Sequence, residues 1–117
     1  MEHGFVRYQD YIPPDELVAC CPTVVLEVLR GSRDRFRYQI ARDLMFNAEM
    51  LDAPTPLARF EEAANVYLVC RDAGITPSAA DCLIAACAIA HGVPLLHNDH
   101  DFDLIANVVP LKILTRS

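Results

Sequence analysis

Apolar and polar positions along this chain fall into short blocks whose period switches between helix-like and strand-like. Phe5, Tyr8 and Ile12 recur at helical spacing and predict a helix or helix remnant over 1–12, broken by Pro13-Pro14. Leu17 to Cys21 is an apolar run short enough for a buried strand. Thr23 to Arg30 predicts a short helix, entered after Pro22 and stopped by Gly31. From Arg33 to Met50 charged and apolar residues alternate at helical spacing, and Met50 to Ala53 reads as a short strand before the Pro54-Thr55-Pro56 break. Leu57 to Ala73 is a helix closed by Gly74, and Ser78 to His91 a helix closed by Gly92. Pro94 to His97 predicts a buried strand, Asp101 to Ala106 a short helix, and Val108 to Leu114 a last strand.

Short apolar strands alternating with helices define an α/β architecture with a mainly parallel sheet. The helix over 78–91 is apolar nearly all round, with Ala79, Ala80, Cys82, Leu83, Ile84, Ala85, Ala86, Cys87, Ala88 and Ile89 in succession around Asp81. Such a helix belongs in the interior, and its small residues allow close approach to a sheet.

Composition narrows the classes. With 117 residues, 53% hydrophobic and 22% charged, the chain is read as one domain, 1–117, with a real core rather than a disordered segment. No apolar run reaches the roughly 20 residues that span a bilayer, and the opening Met1-Glu2-His3-Gly4 has neither a basic nor an apolar leader region. Five cysteines without a C-x-x-C read as free, buried thiols in a reducing cytoplasm, and a cysteine-based metal site gains little support. The net charge of −6 argues against broad wrapping of nucleic acid. Arg30, Arg33, Arg35, Arg37 and Arg42 nevertheless crowd one stretch. That stretch is either a local RNA-holding face or a solvated helix surface.

The candidate chemistry lies in carboxylates. Asp99 follows a predicted buried strand, where open α/β sheets bind ligands, and Asp81 lies in the first turn of the buried helix. Two carboxylates facing one crevice repel each other unless a cation joins them, and Mg²⁺ or Mn²⁺ suits an all-oxygen site. Each residue also has a plainer role. Ser78-x-x-Asp81 fits a capping box, and Asp101 could cap the helix that follows. Glu27 shares a helix face with Thr23 and Arg30 at i, i+4 and i+7, and could simply be solvated. His97 and His100, three apart without a further His or Cys partner, make a weak zinc signature.

The stretch from Ile75, through Ile-Thr-Pro-Ser-Ala-Ala-Asp81-Cys-Leu-Ile-Ala-Ala to Leu-Leu-His-Asn-Asp99-His-Asp101-Phe-Asp, closely resembles the C-terminal half of VapC-type PIN-domain toxins. Pro22-Thr-Val-Val-Leu-Glu27-Val-Leu-Arg-Gly31 resembles that family's earlier acidic helix. The resemblance runs from about Leu17 to the end. It implies a parallel sheet sandwiched by helices, a pocket of three to four carboxylates, and Mg²⁺- or Mn²⁺-dependent endonucleolytic cleavage of RNA. By the same resemblance Glu27, Asp81 and Asp99 would be catalytic and metal-holding, and Asp101 a further metal ligand. Arg30, Arg33 and Arg35 would contact RNA. A cognate antitoxin protein would be the partner of such a toxin.

In one respect the chain departs from the family. The usual first strand, apolar-apolar-Asp followed by a small polar residue, has no counterpart before Leu17. A PIN-like fold without that strand is expected to cover the gap by association, most simply as a homodimer, and to cleave RNA poorly until the strand is supplied. Two functions stay open at this point: a metal-dependent endoribonuclease acting as the toxin of a type II toxin–antitoxin pair, and an inactive PIN-like module that binds an antitoxin or itself.

Overall fold

The structure is a computed structural model and describes residues 19–95 and 100–113. The helix expected over 1–12 and the Leu17–Val18 end of the first strand lie outside those residues, as does Leu96 to Asp99.

Two parallel strands set the frame. β1 (Ala19–Cys20) pairs with β2 (Glu49–Met50), Ala19 opposite Glu49 and Cys20 opposite Met50, and the Leu51 N–H extends the pairing to the Cys20 carbonyl at 2.7 Å. The strand expected over 50–53 therefore begins one residue earlier and stops sooner. It ends because Asp52 turns into the left-handed region at φ 57, a conformation that Asp tolerates better than most residues. A second parallel contact joins Leu95 to Ile113, with the Leu95 N–H donating to the Lys112 carbonyl at 2.8 Å. Of the last expected strand, 108–114, only Ile113 pairs among the described residues. Val108 and Val109 instead donate their N–H groups to Ile105 and wind off the preceding helix.

The helices follow the expected order. α1 (Pro22–Arg30) starts on a proline at its first turn, where the missing N–H costs nothing, and buries Val24 and Val28. α2 (Arg35–Phe46) is capped by Asp34, whose side chain accepts from the Arg37 N–H at 2.8 Å. α3 (Leu57–Asp72) buries Ala63, Val66 and Cys70. α4 (Ala79–His91) is capped by Ser78 Oγ, which accepts from the Asp81 N–H at 3.1 Å, and ends on Gly92 at φ 65. α5 (His100–Ala106) buries Phe102 and Ile105.

α4 is the centre of the assembly. It buries Asp81, Cys82 and every residue from Ile84 to Ala88, packs most extensively against α3, and also touches α1 and α5. Its alanines and cysteines let these neighbours come close, as the apolar pattern implied. The largest fully buried side chains are Phe102, Met45, Ile105, Cys70 and Cys82, contributed by α5, α2, α3 and α4 around one core.

Candidate functional site

Three of the expected carboxylates stand on helices that pack on α4 or belong to it. Glu27 stands on α1, Asp81 on α4 and Asp101 on α5, and α4 packs on both of the others. The side chain of Glu27 is only 16% exposed, so it is turned inward rather than solvated, and it pairs with Arg30 at 3.3 Å. Asp81 is buried at 5% exposure in the first turn of α4. The cap of that helix is Ser78, with Asp81 contributing its backbone N–H. A carboxylate is costly to bury without compensation, and the positive end of the helix dipole offsets part of that cost. Asp101 is exposed in the first turn of α5. Asp99 and His97 lie outside the described residues.

Of the arginines expected to meet RNA, Arg30 holds Glu27, while Arg33 and Arg35 are exposed between the end of α1 and the start of α2. Arg37 pairs with Asp34 at 3.3 Å, and Arg42 lies over the Phe46 ring at 4.3 Å. The positive stretch is thus partly tied to the helix surface.

A second polar cluster was not singled out by the sequence. Asp52, just past the C-terminal end of β2, has a side chain 5% exposed, and its carboxylate meets Arg59 of α3 in a fork: Arg59 Nε donates to Oδ2 at 2.7 Å and Nη2 to Oδ1 at 3.3 Å. His91 Nε2 is hydrogen-bonded to Asp52 Oδ1 at 2.8 Å. The Thr55 hydroxyl donates to the Asp52 carbonyl at 2.6 Å and fixes the turn that presents the carboxylate. The Arg59 hydrogen bonds hold the Asp52 carboxyl well below the usual carboxylate range against the opposing effect of burial, and Asp52 in turn raises Arg59 further.

Two thiols complete this cluster. Cys87 of α4 meets both Asp52 and Cys21, the N-cap residue of α1. The Cys87 thiol first, and then the N–H groups of Val24 and Thr23 at the helix entrance, draw Cys21 down to about 7 against the effect of burial. Cys21 makes no side-chain capping hydrogen bond to α1. The same thiol–thiol contact, with burial, pushes Cys87 up. Burial raises Cys20 to about 12 and Cys82 to about 11. All five cysteines are free and buried, as their spacing implied. The one hint of the cluster in the sequence is the Cys87-x-x-x-His91 spacing, which puts both side chains on one face of α4.

The chain matches the PIN domain family over residues 5–108. It is also similar to the VapC ribonuclease Mb1587 of Mycobacterium bovis and to Ribonuclease VapC11 of Mycobacterium tuberculosis. Each is 36% identical over 96 residues, a span covering 81% of this chain and 71% of the relative. The chain therefore belongs to the PIN domain family. The match starts at residue 5, ahead of Leu17, where the resemblance read from motifs begins.

Proposed function

We propose that this protein is a Mg²⁺- or Mn²⁺-dependent endoribonuclease and the toxin of a type II toxin–antitoxin pair. The observation that carries this reading is the buried Asp81 at the N-terminus of α4, with inward-turned Glu27 on the helix packed beside it, in a PIN-domain chain whose relatives are named ribonucleases. The donor set fits a hard cation, because every candidate ligand is a carboxylate oxygen. Glu27, Asp81, Asp99 and Asp101 would hold the ion. When bound, it would activate a water and stabilise charge building on the phosphate. Glu27 and Asp81, held on packed helices, fix the positions of their oxygens. Arg30, already beside Glu27, and the exposed Arg33 and Arg35 would take phosphate oxygens of a single RNA strand.

The partners in this reading are RNA, an antitoxin protein and a second copy of the chain. α3 supports protein partners, because its apolar residues point both ways. Ala63, Val66 and Cys70 enter the core, while Phe60, Tyr67, Leu68 and Val69 stay exposed. No described helix is long and apolar enough to cross a membrane. The five reduced thiols suit the cytoplasm.

The test is cleavage of a mixed RNA substrate with Mg²⁺, with EDTA, and by Asp81→Asn. Cleavage that needs the metal and falls on the order of 100-fold or more in Asp81→Asn is expected, since loss of a ligand displaces the reacting groups. Metal-dependent cleavage undiminished in Asp81→Asn would remove Asp81 from the site. A protein that binds an antitoxin but never cleaves RNA would be the inactive module instead.

A further inference from the structure

We propose that Asp52, Cys87 and His91 form a site for a borderline divalent cation, zinc foremost, separate from the carboxylate pocket. This goes beyond the nuclease reading and does not depend on it. A carboxylate oxygen of Asp52, Cys87 Sγ and a ring nitrogen of His91 lie within 4.8 Å of one another. Cys21 touches Cys87 but stands outside that group, and the exposed side of His91 leaves the fourth position to water. A thiolate, an imidazole and a carboxylate with one water are a tetrahedral zinc donor set, and sulfur and imidazole donors select zinc over Mg²⁺.

The geometry needs little change. Around zinc, ligand atoms at about 2.0–2.3 Å stand roughly 3.3–3.8 Å apart. His91 and Asp52, now 2.8 Å apart across a shared proton, would open slightly as the cation replaced that proton. The Cys87 sulfur would close by up to about 1 Å. Asp52 need not give up Arg59 to do this. A carboxylate offers about four lone-pair sites, and the Arg59 fork uses one on each oxygen. Arg59 then acts as the outer partner that orients the ligand. Cys87 and His91 are one turn apart on α4, so the helix fixes their mutual position. His91, 33% exposed at the helix end, gives the cation a way in, whereas Asp52 at 5% does not.

The site lies away from the nuclease carboxylates. At 1.5 Å per residue, His91 is about 15 Å along α4 from Asp81, and Cys87 about 9 Å. Bound there, the cation would tie the turn after β2 to the C-terminal half of α4.

The experiment uses the full chain, stripped of metal by chelator in a phosphine reductant, titrated with Co²⁺ and then displaced by Zn²⁺. One equivalent of Co²⁺ is expected to bind with a thiolate-to-cobalt charge-transfer band in the near ultraviolet, erased by Zn²⁺ and indifferent to Mg²⁺. Cys87→Ser and His91→Gln should each weaken binding by about 100-fold or more, beyond the loss expected for an outer partner. Cys21→Ser should leave the band in place, because Cys21 stands outside the ligand group. Asp81→Asn should change nothing. Circular dichroism checks each variant's fold. Should Cys87→Ser unfold, the partly exposed His91→Gln carries the same comparison. No Co²⁺ uptake, binding without the sulfur band, a band lost in folded Cys21→Ser, binding undiminished in folded His91→Gln, or binding lost in Asp81→Asn would each overturn the assignment. Because Asp81→Asn disables the nuclease and spares this site, failure of one reading is distinguishable from failure of the other.

Discussion

Asp52 illustrates how one side chain can hold several elements at once. It stands at the end of β2 in a left-handed backbone conformation, grips Arg59 of α3 and meets His91 of α4. Arg59 is itself 13% exposed, so this ion pair is largely withdrawn from water. Removing one member strands the other, and Asp52→Asn should cost about 3–5 kcal/mol, measurable as a lower urea midpoint with an unchanged slope. The pH dependence follows from the depressed Asp52 carboxyl. A group whose folded pKa lies below its unfolded value stabilises fully above the unfolded value, near 4 for Asp, and loses that contribution as pH falls toward the folded value. Chelator-treated protein should therefore lose stability progressively below about pH 4. Asp52→Asn should flatten that acid limb, and a limb of equal steepness in the variant would assign it to other carboxylates.

At the scale of elements, helix ends were the most legible feature. Gly92 follows α4 at φ 65, where its N–H serves the Ala88 and Ile89 carbonyls, and nothing lies within 4 Å of where a Cβ would sit. The demand for glycine there is conformational and not steric. Gly92→Ala should cost about 1–2 kcal/mol, and Gly92→Asn should recover part of it, because Asn enters the left-handed region more readily. Equal thermal shifts in the two variants would point to a different cause. Gly92, Gly74, Ser78 and Pro22 could be read from the chain because each acts on its immediate neighbours. The all-apolar α4 was legible for a related reason, since its burial needs no knowledge of what surrounds it. Asp52 was not legible, because its partners Arg59, Cys87 and His91 come from other elements and meet only through the tertiary packing. The short strands were harder still. A two-residue pairing such as β1–β2 leaves almost no alternation to read, and its end was set by the backbone turn at Asp52.

For the whole molecule, the mismatch between core and surface is the informative quantity. The core is built largely of small residues on α4 and a few large ones on its neighbours, while Leu57 at 84% exposure and Phe36 at 75% lie in water. The outer face of α3 adds Phe60, Tyr67, Leu68 and Val69 to these exposed apolar side chains. The free chain is expected to self-associate, and an antitoxin sharing this face would compete with that association. Light scattering over a wide concentration range should show dimer or higher mass, with Phe60→Ser plus Leu68→Ser shifting the protein toward monomer while circular dichroism stays unchanged. A monomer at every concentration would place the partner-binding surface elsewhere.

The burial of every cysteine gives the protein a built-in clock for its own opening. Cys20 and Cys21 report from the sheet edge and the entrance to α1, Cys70 from α3, and Cys82 and Cys87 from two turns of α4. A thiol reagent in solution reaches none of them until the surrounding element swings away. The order in which the five react, resolved by mass spectrometry of the labelled peptides, would therefore rank the elements by how often each comes loose.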